Sequence, residues 1–528
     1  MPKVLLADKL PKSTVDMLKK AGLEVVEKPG LTQQELPEAI RDVQGLIVRS
    51  SVQVTADVLE AAQNLQAICR AGIGVDNIDL EAATRKGVAV MNTPGANAIS
   101  TAEHTFALIL ALSRNIGPAY ISMREGKWDR KKFVGVELAG TTLGIIGLGR
   151  VGQAVAERAN AFGMKVLAFD PFISSEMASK LGVELADELA DILKRADYVT
   201  IHVPGSDQTR DLIGEKEIAA MKPNARIINC ARGEVIDMNA VVRAVKDGRL
   251  GGAAFDVYTE EPPPDFGFAG DDRILATPHL GASTEAAQLA VGEQAAEQMV
   301  DALVRGHYRN AVNMIAVSPE EMEVLRPYCE LACHIGRMAG ALSRGRPKSL
   351  EITCKGELAE HNTAPIVNYG VMGLLQSVLG EAVNIVSAPH LAEERGLHVT
   401  ISSTMALEAG FTDLILLKLV TDAGDCEVAG TVFGRRHKRI VRIGPFYTEI
   451  VPEGHMLLVF CKDRPGAIGQ VGGALGKVGV NIARMTFSRA EAGGDALLAL
   501  NLDGTADEET CRKIRSLPIV ERVVRFSF

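Results

Sequence analysis

The stretch Leu143-Gly144-Ile145-Ile146-Gly147-Leu148-Gly149-Arg150-Val151-Gly152 decides the reading of this chain. Four apolar residues run straight into Gly-x-Gly-x-x-Gly, and a helical pattern, Val151–Phe162, follows. A strand that turns through such a loop into a helix needs each glycine for a different reason. Gly147 permits the tight turn, Gly149 lets backbone come close to a bound pyrophosphate, and Gly152 lets the helix pack on the strand. The helix start would then face phosphates with free N–H groups and the positive end of its dipole. A second predicted strand, Lys165–Phe169, ends in Asp170, eighteen residues beyond the last glycine. An acid there accepts hydrogen bonds from an adenosine ribose and repels a 2′-phosphate, so the expected cofactor is NAD and not NADP.

Working outward, the same alternation of short apolar runs and helices extends in both directions. Downstream, strands are predicted at Tyr198–Val203, Arg226–Cys230, Gly252–Asp256 and Ile274–Thr277. Upstream, Lys3–Ala7, Leu23–Val26, Gly45–Val48, Leu65–Cys69 and Val88–Met91 read as strands, with helices at Thr14–Ala21 and Ala56–Ala62. Alternating β and α predicts an α/β fold of parallel sheets covered on both faces. Between the two series lies Ile99–Ser113, so apolar that it must be a buried helix. Gly117-Pro118 and Gly126-Lys127-Trp128 read as breaks after it. Ser283–Leu303 reads as one more long helix, returning the chain to the first series.

Beyond about residue 316 strands follow one another with less helix between them, at Ser349–Cys354, His398–Ser403, Asp413–Leu419 and Glu427–Phe433, an α+β pattern. After Pro452-Glu453-Gly454 the order is β-α-β-β-α-β, a ferredoxin-like arrangement, over His455–Cys461, Ala467–Val478, Asn481–Arg489, Ala496–Leu502, Glu508–Ser516 and Ile519–Phe526. At roughly 150 residues per domain, 528 residues accommodate three or four such units.

Three segments sit at predicted strand ends, where ligands bind in parallel sheets. They are Asn229-Cys230-Ala231-Arg232-Gly233, Asp256 through Glu260-Glu261-Pro262, and Thr277-Pro278-His279-Leu280-Gly281. Taking hydride from the carbinol carbon of a hydroxy acid requires a base for the hydroxyl proton, and His279 suits it. A carboxylate on the other ring nitrogen would fix the tautomer; Glu261 is preferred, with Glu260 the neighbouring alternative. Arg232 is suited to hold a substrate carboxylate through two parallel hydrogen bonds. His104 reads as a packed structural histidine, Cys69 as core, and Trp128 as an interface anchor or plain surface packing.

Bulk properties exclude other classes. The 47% hydrophobic and 23% charged content is that of a folded globular chain. The net charge of −9, with no basic block, offers no footprint for nucleic acid, so an anionic substrate needs a locally positive pocket. No run of about 18 apolar residues appears, so no membrane span is expected, and the N-terminus does not read as a signal peptide. Eight scattered cysteines without a Cys-x-x-Cys pair fit a reducing cytoplasm. Cys329, Cys333 and His334 read as helix packing, so no metal site is expected.

These motifs in this order resemble the D-isomer-specific 2-hydroxyacid dehydrogenases, as do Arg70 through Asp79 and Met91 through Asn97. The length is similar to the four-domain branch of that family. The resemblance implies a Rossmann-type NAD domain (99–283) inserted in a flavodoxin-like substrate domain (1–98 and 284–315). An α+β intervening domain (316–450) and a ferredoxin-like ACT regulatory domain (455–528) follow. It implies NAD-dependent oxidation of a phosphorylated 2-hydroxy acid, with Arg232, Glu261 and His279 catalytic. Besides the three glycines, NAD would be lined by Arg150, Val151, Asp170, Val203, Cys230, Ala231, Asp256, Gly281 and Ala282. Substrate would meet Arg49, Ser50, Gly72, Ile73, Asn97 and Gln288. Ile73 replaces a Thr, and Val203 a hydroxyl residue, of some relatives. In the ACT segment Cys461, Asp463 and Asn481 occupy positions implied to bind L-serine as effector, although Cys461 stands where some relatives carry a polar residue. A homodimer or homotetramer is implied, with the Ile99–Ser113 region and the ACT segment as contacts. Another dehydrogenase of this fold, such as a glyoxylate or hydroxypyruvate reductase, and a non-catalytic NAD-sensing scaffold are the alternative readings.

Overall fold

The computed structural model describes residues 1–315, 317–380, 382–407 and 410–528. Strands β1 (Lys3–Leu6), β2 (Glu24–Glu27), β3 (Gly45–Val48), β4 (Ala67–Arg70) and β5 (Ala89–Asn92) form a parallel sheet in the order β2-β1-β3-β4-β5. That is the flavodoxin-like order. The central strands are apolar along their length because helices cover both faces. One cover is the helix Glu285–Val300, started by Thr284, whose hydroxyl accepts the Ala287 N–H at 3.2 Å. Its Val291, Ala295, Ala296 and Met299 pack on Val4, Leu6 and Ile47. The chain thus returns beneath the first sheet after completing a second.

That second sheet is also parallel. It comprises β6 (Thr142–Ile146), β7 (Lys165–Phe169), β8 (Glu184–Leu185), β9 (Tyr198–Ile201), β10 (Arg226–Asn229), β11 (Gly252–Phe255) and β12 (Ile274–Ala276), ordered β12-β11-β10-β9-β6-β7-β8. The order reverses between β6 and β9, the point at which such sheets open a ligand crevice. Helix Ala98–Ser113 packs Ala102, Phe106 and Ile109 against Leu143 and Ile145 of this sheet. The break expected at Gly117-Pro118 is instead the start of another helix, Ile116–Arg124, bent by 66° from the first. Asn115, at φ +52°, makes the bend. Pro118 is tolerated because N–H groups in a helix's first turn have no intrahelical partner to lose. Among the described residues no single helix is long and apolar enough to cross a membrane.

The C-terminal third departs from the expected scarcity of helix. A 24-residue helix, Pro319–Leu342, and a 16-residue helix, Ala364–Leu379, cover a six-stranded sheet. Residue 316, where this region was expected to begin, lies outside the described residues. The strands are β13 (Pro347–Gly356), β14 (His398–Thr404), β15 (Asp413–Thr421), β16 (Gly424–Phe433), β17 (His437–Ile443) and β18 (Phe446–Ile450), in the order β14-β13-β15-β16-β17-β18. The last four-stranded sheet, β19 (His455–Lys462), β20 (Ile482–Arg489), β21 (Asp495–Leu502) and β22 (Val520–Ser527), is antiparallel in the order β20-β21-β19-β22. One of its faces carries its own two helices. From the other, Met456, Leu458, Leu497 and Ala499 enter the core under Pro319–Leu342. Arg522 Nη2 also donates to the Leu342 carbonyl at 2.6 Å, so the last two units share a core.

Candidate active site

The glycine turn after β6 is shaped by close contacts. Gly147 has φ +91°, and a Cβ on it would lie 2.7 Å from the His202 carbonyl oxygen and 2.8 Å from Val203 Cγ1. A Cβ on Gly152 would lie 2.2 Å from the Gly147 oxygen. A Cβ on Gly149 would meet nothing within 4 Å, which leaves its backbone open in front of helix Arg150–Ala161. An open, bare backbone at a helix start fits a pyrophosphate. Beyond the turn, Asp170 accepts the Leu148 N–H at 2.8 Å and the Phe172 N–H at 2.9 Å, tying the ends of β6 and β7 together. Removing this acid by Asp170→Ala is expected to narrow the preference for NAD over NADP about tenfold, since the repulsion of a 2′-phosphate goes with it. Comparing kcat/KM for the two cofactors measures the change. Val151 is half-buried, Cys230 and Ala231 are buried, and Arg150 donates to the Pro94 carbonyl at 2.5 Å across to the other lobe.

The ends of β10, β11 and β12 converge beside this turn. Asn229, 1% exposed, receives the Ala231 N–H at 3.0 Å and donates to the Arg232 carbonyl at 2.8 Å, folding the chain so that Arg232 points across the cleft. Asp256 is fully buried. It accepts the Thr277 hydroxyl (2.6 Å) and the N–H groups of Leu280 and Gly281 (both 2.8 Å), with His104 Nε2 at 3.2 Å. Burial alone would raise its carboxyl, but these partners outweigh burial and hold it below the usual carboxylate range. Asp256 and His104 thus fix the loop that carries His279, and Ser100 pins it again by donating to the Gly281 carbonyl at 2.8 Å. Ala282, next along, is half-buried.

Of the two adjacent acids, Glu261 is the one that reaches His279, with Oε2 2.7 Å from Nδ1. Its Oε1 accepts the Tyr258 N–H at 3.1 Å. Burial pushes the Glu261 carboxyl up, but the bonds from His279 and Tyr258 push it further down, so it stays ionised. His279 adopts φ +55°, a left-handed conformation uncommon outside glycine and costly enough that functional loops are where it persists. Its Nε2 has no partner among the described residues and the side chain is 44% exposed.

Facing these from the first sheet are the ends of β3 and β4. Arg49 is half-buried, and Ser50 beside it is exposed. A Cβ on Gly72 would fall 1.4 Å from Arg70 Nη1, so a side chain there would displace the Arg70 guanidinium. Ile73 lends its carbonyl to Asn92 Nδ2 at 2.6 Å. The Oδ1 of Asn97 is buried without a partner among the described residues, a polar atom waiting for a donor. Gln288 is exposed in the first turn of helix Glu285–Val300.

Sequence reading missed two residues here. Arg70 ends the apolar strand Ala67-Ile68-Cys69, its Nε buried and without a partner among the described residues. Burial first, then the charges of Arg232 and Arg49, lower its guanidinium to about 10. Asp76 bonds Arg232 Nε at 3.0 Å. The signal for Arg70 was an arginine closing a buried strand; Asp76 lies in the motif stretch Arg70 through Asp79, but nothing in that stretch points to Arg232 as its partner.

In the last sheet Cys461 is 1% exposed, packed with Ala467 and Ala496, so it presents no side chain to a surface ligand. Asp463 is held by Arg489 Nη1 at 3.1 Å and the Gly493 N–H at 3.0 Å, and Asn481 donates to Asp503 at 2.6 Å. Among the described residues no group of His, Cys, Asp and Glu is arranged to hold a metal ion, and Cys329 and Cys333 are buried.

A Rossmann cleft faced by a second lobe, with a His–Glu pair and arginines between them, defines a dinucleotide-dependent dehydrogenase. Residues 106–281 match the D-isomer specific 2-hydroxyacid dehydrogenase NAD binding domain. Residues 324–444 match the D-3-phosphoglycerate dehydrogenase intervening domain, and 455–518 the ACT domain. The chain is 43% identical over 523 residues to a D-3-phosphoglycerate dehydrogenase of Methanocaldococcus jannaschii, covering 99% of each. It is 37% identical to that of Bacillus subtilis, again covering 99% of each. An NAD⁺-bound 3-phosphoglycerate dehydrogenase structure from Entamoeba histolytica is 30% identical with TM-score 0.52, covering 60% of this chain and 99% of that one. The structure of a glyoxylate reductase from Paecilomyes thermophila is 28% identical with TM-score 0.55, covering 61% of this chain and 99% of that one. The chain belongs to the D-isomer specific 2-hydroxyacid dehydrogenases, in their D-3-phosphoglycerate dehydrogenase family.

Proposed function

We propose that the chain oxidises D-3-phosphoglycerate to 3-phosphohydroxypyruvate, the first step of serine synthesis. The observation that carries this reading is the grouping of Arg49, Arg70 and Arg232 opposite the His279–Glu261 pair. A substrate with a carboxylate at one end and a phosphate at the other needs cations at both. Arg232 binds the carboxylate, and Arg49 and Arg70 take the phosphate. His279 Nε2 accepts the hydroxyl proton as the C2–H bond breaks, and Glu261 stabilises the imidazolium that results. Asn97 Oδ1 and the Gly72-Ile73 backbone line the pocket. NAD, bound at the glycine turn, supplies the hydride acceptor.

The division of the chain into a substrate unit (1–98 with 284–315), a nucleotide unit (99–283), an intervening unit (316–450) and an ACT unit (455–528) belongs to the same reading. So does a homodimer or homotetramer: Tyr120 (62% exposed), Trp128 (74%), Ile116, Ile121 and Met123 leave an apolar face on and beside the bent helix. L-serine is the proposed effector, and the eight cysteines, which form no disulfide among the described residues, support a reducing cytoplasm.

The experiment is NADH formation from D-3-phosphoglycerate and from D-glycerate. Arg70→Gln is expected to lower kcat/KM about 100-fold for the phosphorylated acid and to leave D-glycerate turnover nearly unchanged. Equal loss on both, or a wild-type preference for D-glycerate, contradicts the phosphate assignment and favours a hydroxypyruvate reductase.

A further inference from the structure

We infer that Asp76 is a positioning residue: from the opposite lobe it sets the Arg232 guanidinium in place to receive the substrate carboxylate. The inference rests on the role given to Arg232 above. The two residues are 156 apart in sequence, one in the loop after β4 and the other in the loop after β10. Asp76 Oδ2 lies 3.0 Å from Arg232 Nε. On the far side Nη1 donates to the Ala231 carbonyl at 2.6 Å. Nη2 lies over bare backbone: a Cβ on Gly74 would fall 1.8 Å from it and 2.6 Å from Asp76 Oδ2. The guanidinium is therefore held at Nε and Nη1 and seated on a glycine, and Nη2 has no partner among the described residues.

Asp76 also answers a problem of charge. Arg70 stands close enough to Arg232 for each to repel the other, and it must stay near for both ends of the substrate to be bound. Asp76 attracts both, and Asp8 and Asp76 are the acids whose charge acts on Arg70. With neither substrate nor acid between them the two guanidiniums would separate, and Arg232 would leave the position that the fork of a carboxylate requires. The pair contributes little to folding, because the Asp76 side chain is 64% exposed and solvent screens it. Its effect is geometric, and a mutant lacking it should fold.

The test uses the full-length protein with D-3-phosphoglycerate and NAD. Asp76→Ala is expected to lower kcat/KM for the acid by about 10- to 100-fold, the range that a displacement of about an ångström produces. KM for the acid should rise, while KM for NAD, NADH affinity by fluorescence and the thermal midpoint stay put. Asp76→Asn keeps an oxygen for the Nε–H but loses the charge, so its loss should be smaller. Gly74→Ala pushes the guanidinium from the other side and should give the same split. Wild-type kcat/KM in Asp76→Ala would overturn the inference, as would a matching fall in NADH affinity or thermal midpoint. Arg232→Lys, run in parallel, separates the two layers. If it leaves turnover intact, the role of Arg232 itself fails. If it abolishes turnover while Asp76→Ala is unaffected, only the positioning role fails.

Discussion

His279→Ala is expected to lower kcat by about 10³-fold or more, with NADH affinity within a factor of about two of wild type. The size follows from the function proposed for the ring. Without a base within reach, the hydroxyl proton must leave to water while the C2–H bond breaks, and general base catalysis is commonly worth 10²–10⁴-fold. The selectivity follows from how the loop is held. Leu280 and Gly281 are fixed through their backbone N–H groups to Asp256, and Gly281 again by Ser100. None of these bonds involves the imidazole. The left-handed conformation at residue 279 costs an alanine about what it costs a histidine, since both carry the Cβ that causes the strain, so the anchored loop should hold its course. Stopped-flow or steady-state NADH formation with a parallel NADH titration measures both quantities. A variant that kept a tenth of its turnover would exclude His279 as the base, and a variant that lost NADH affinity would make it a cofactor residue.

The parts of this site that could be read in the sequence are those that parallel sheets make legible. A strand buried on both faces is an unbroken apolar run, so a charged or polar residue that ends it stands out. That is why Asp170, Arg232 and His279 were found, and why the glycine turn at 147–152 was the firmest point. Arg70 carries the same mark, a charge closing the buried run Ala67-Ile68-Cys69, but only the fold brings it near Arg232 and so gives it a role. Asp76 lies in a loop with no periodicity, and its partner is 156 residues away. In the C-terminal third, Pro327 inside helix Pro319–Leu342 obscured a 24-residue helix, because an interior proline is normally a break. The hairpin of β17 and β18 was hidden by the basic run Arg435 to Arg439, which reads as loop although Ile440, Val441 and Ile443 at the other end of β17 are buried. Asp463 and Arg489 meet because β21 pairs with both β19 and β20, registers that no local pattern specifies.

Arg232→Lys is expected to lower kcat/KM for the hydroxy acid by about 10²- to 10³-fold, and the charge-conserving change should rescue little of what Arg232→Ala loses. A lysine ammonium is a single charge at the end of a flexible stem, and it cannot present two parallel N–H donors to a carboxylate. Nor does lysine have an atom equivalent to the Nε that Asp76 holds at 3.0 Å, so the ammonium would be free to pair with Asp76 instead of with substrate. Binding in the ground state and positioning in the transition state are then both lost. KM should rise and kcat fall, in contrast to His279→Ala, where kcat carries the effect. The NAD side should be insulated, because the turn that presents Arg232 is clamped by Asn229 through the Arg232 carbonyl and the Ala231 N–H, neither of which the substitution touches. Steady-state kinetics with the acid and with NAD varied separately give the four constants. Were lysine to restore the wild-type KM for the acid, the interaction would be one of charge alone, and the fork geometry on which Asp76 and Gly74 act would have no bearing on the reaction.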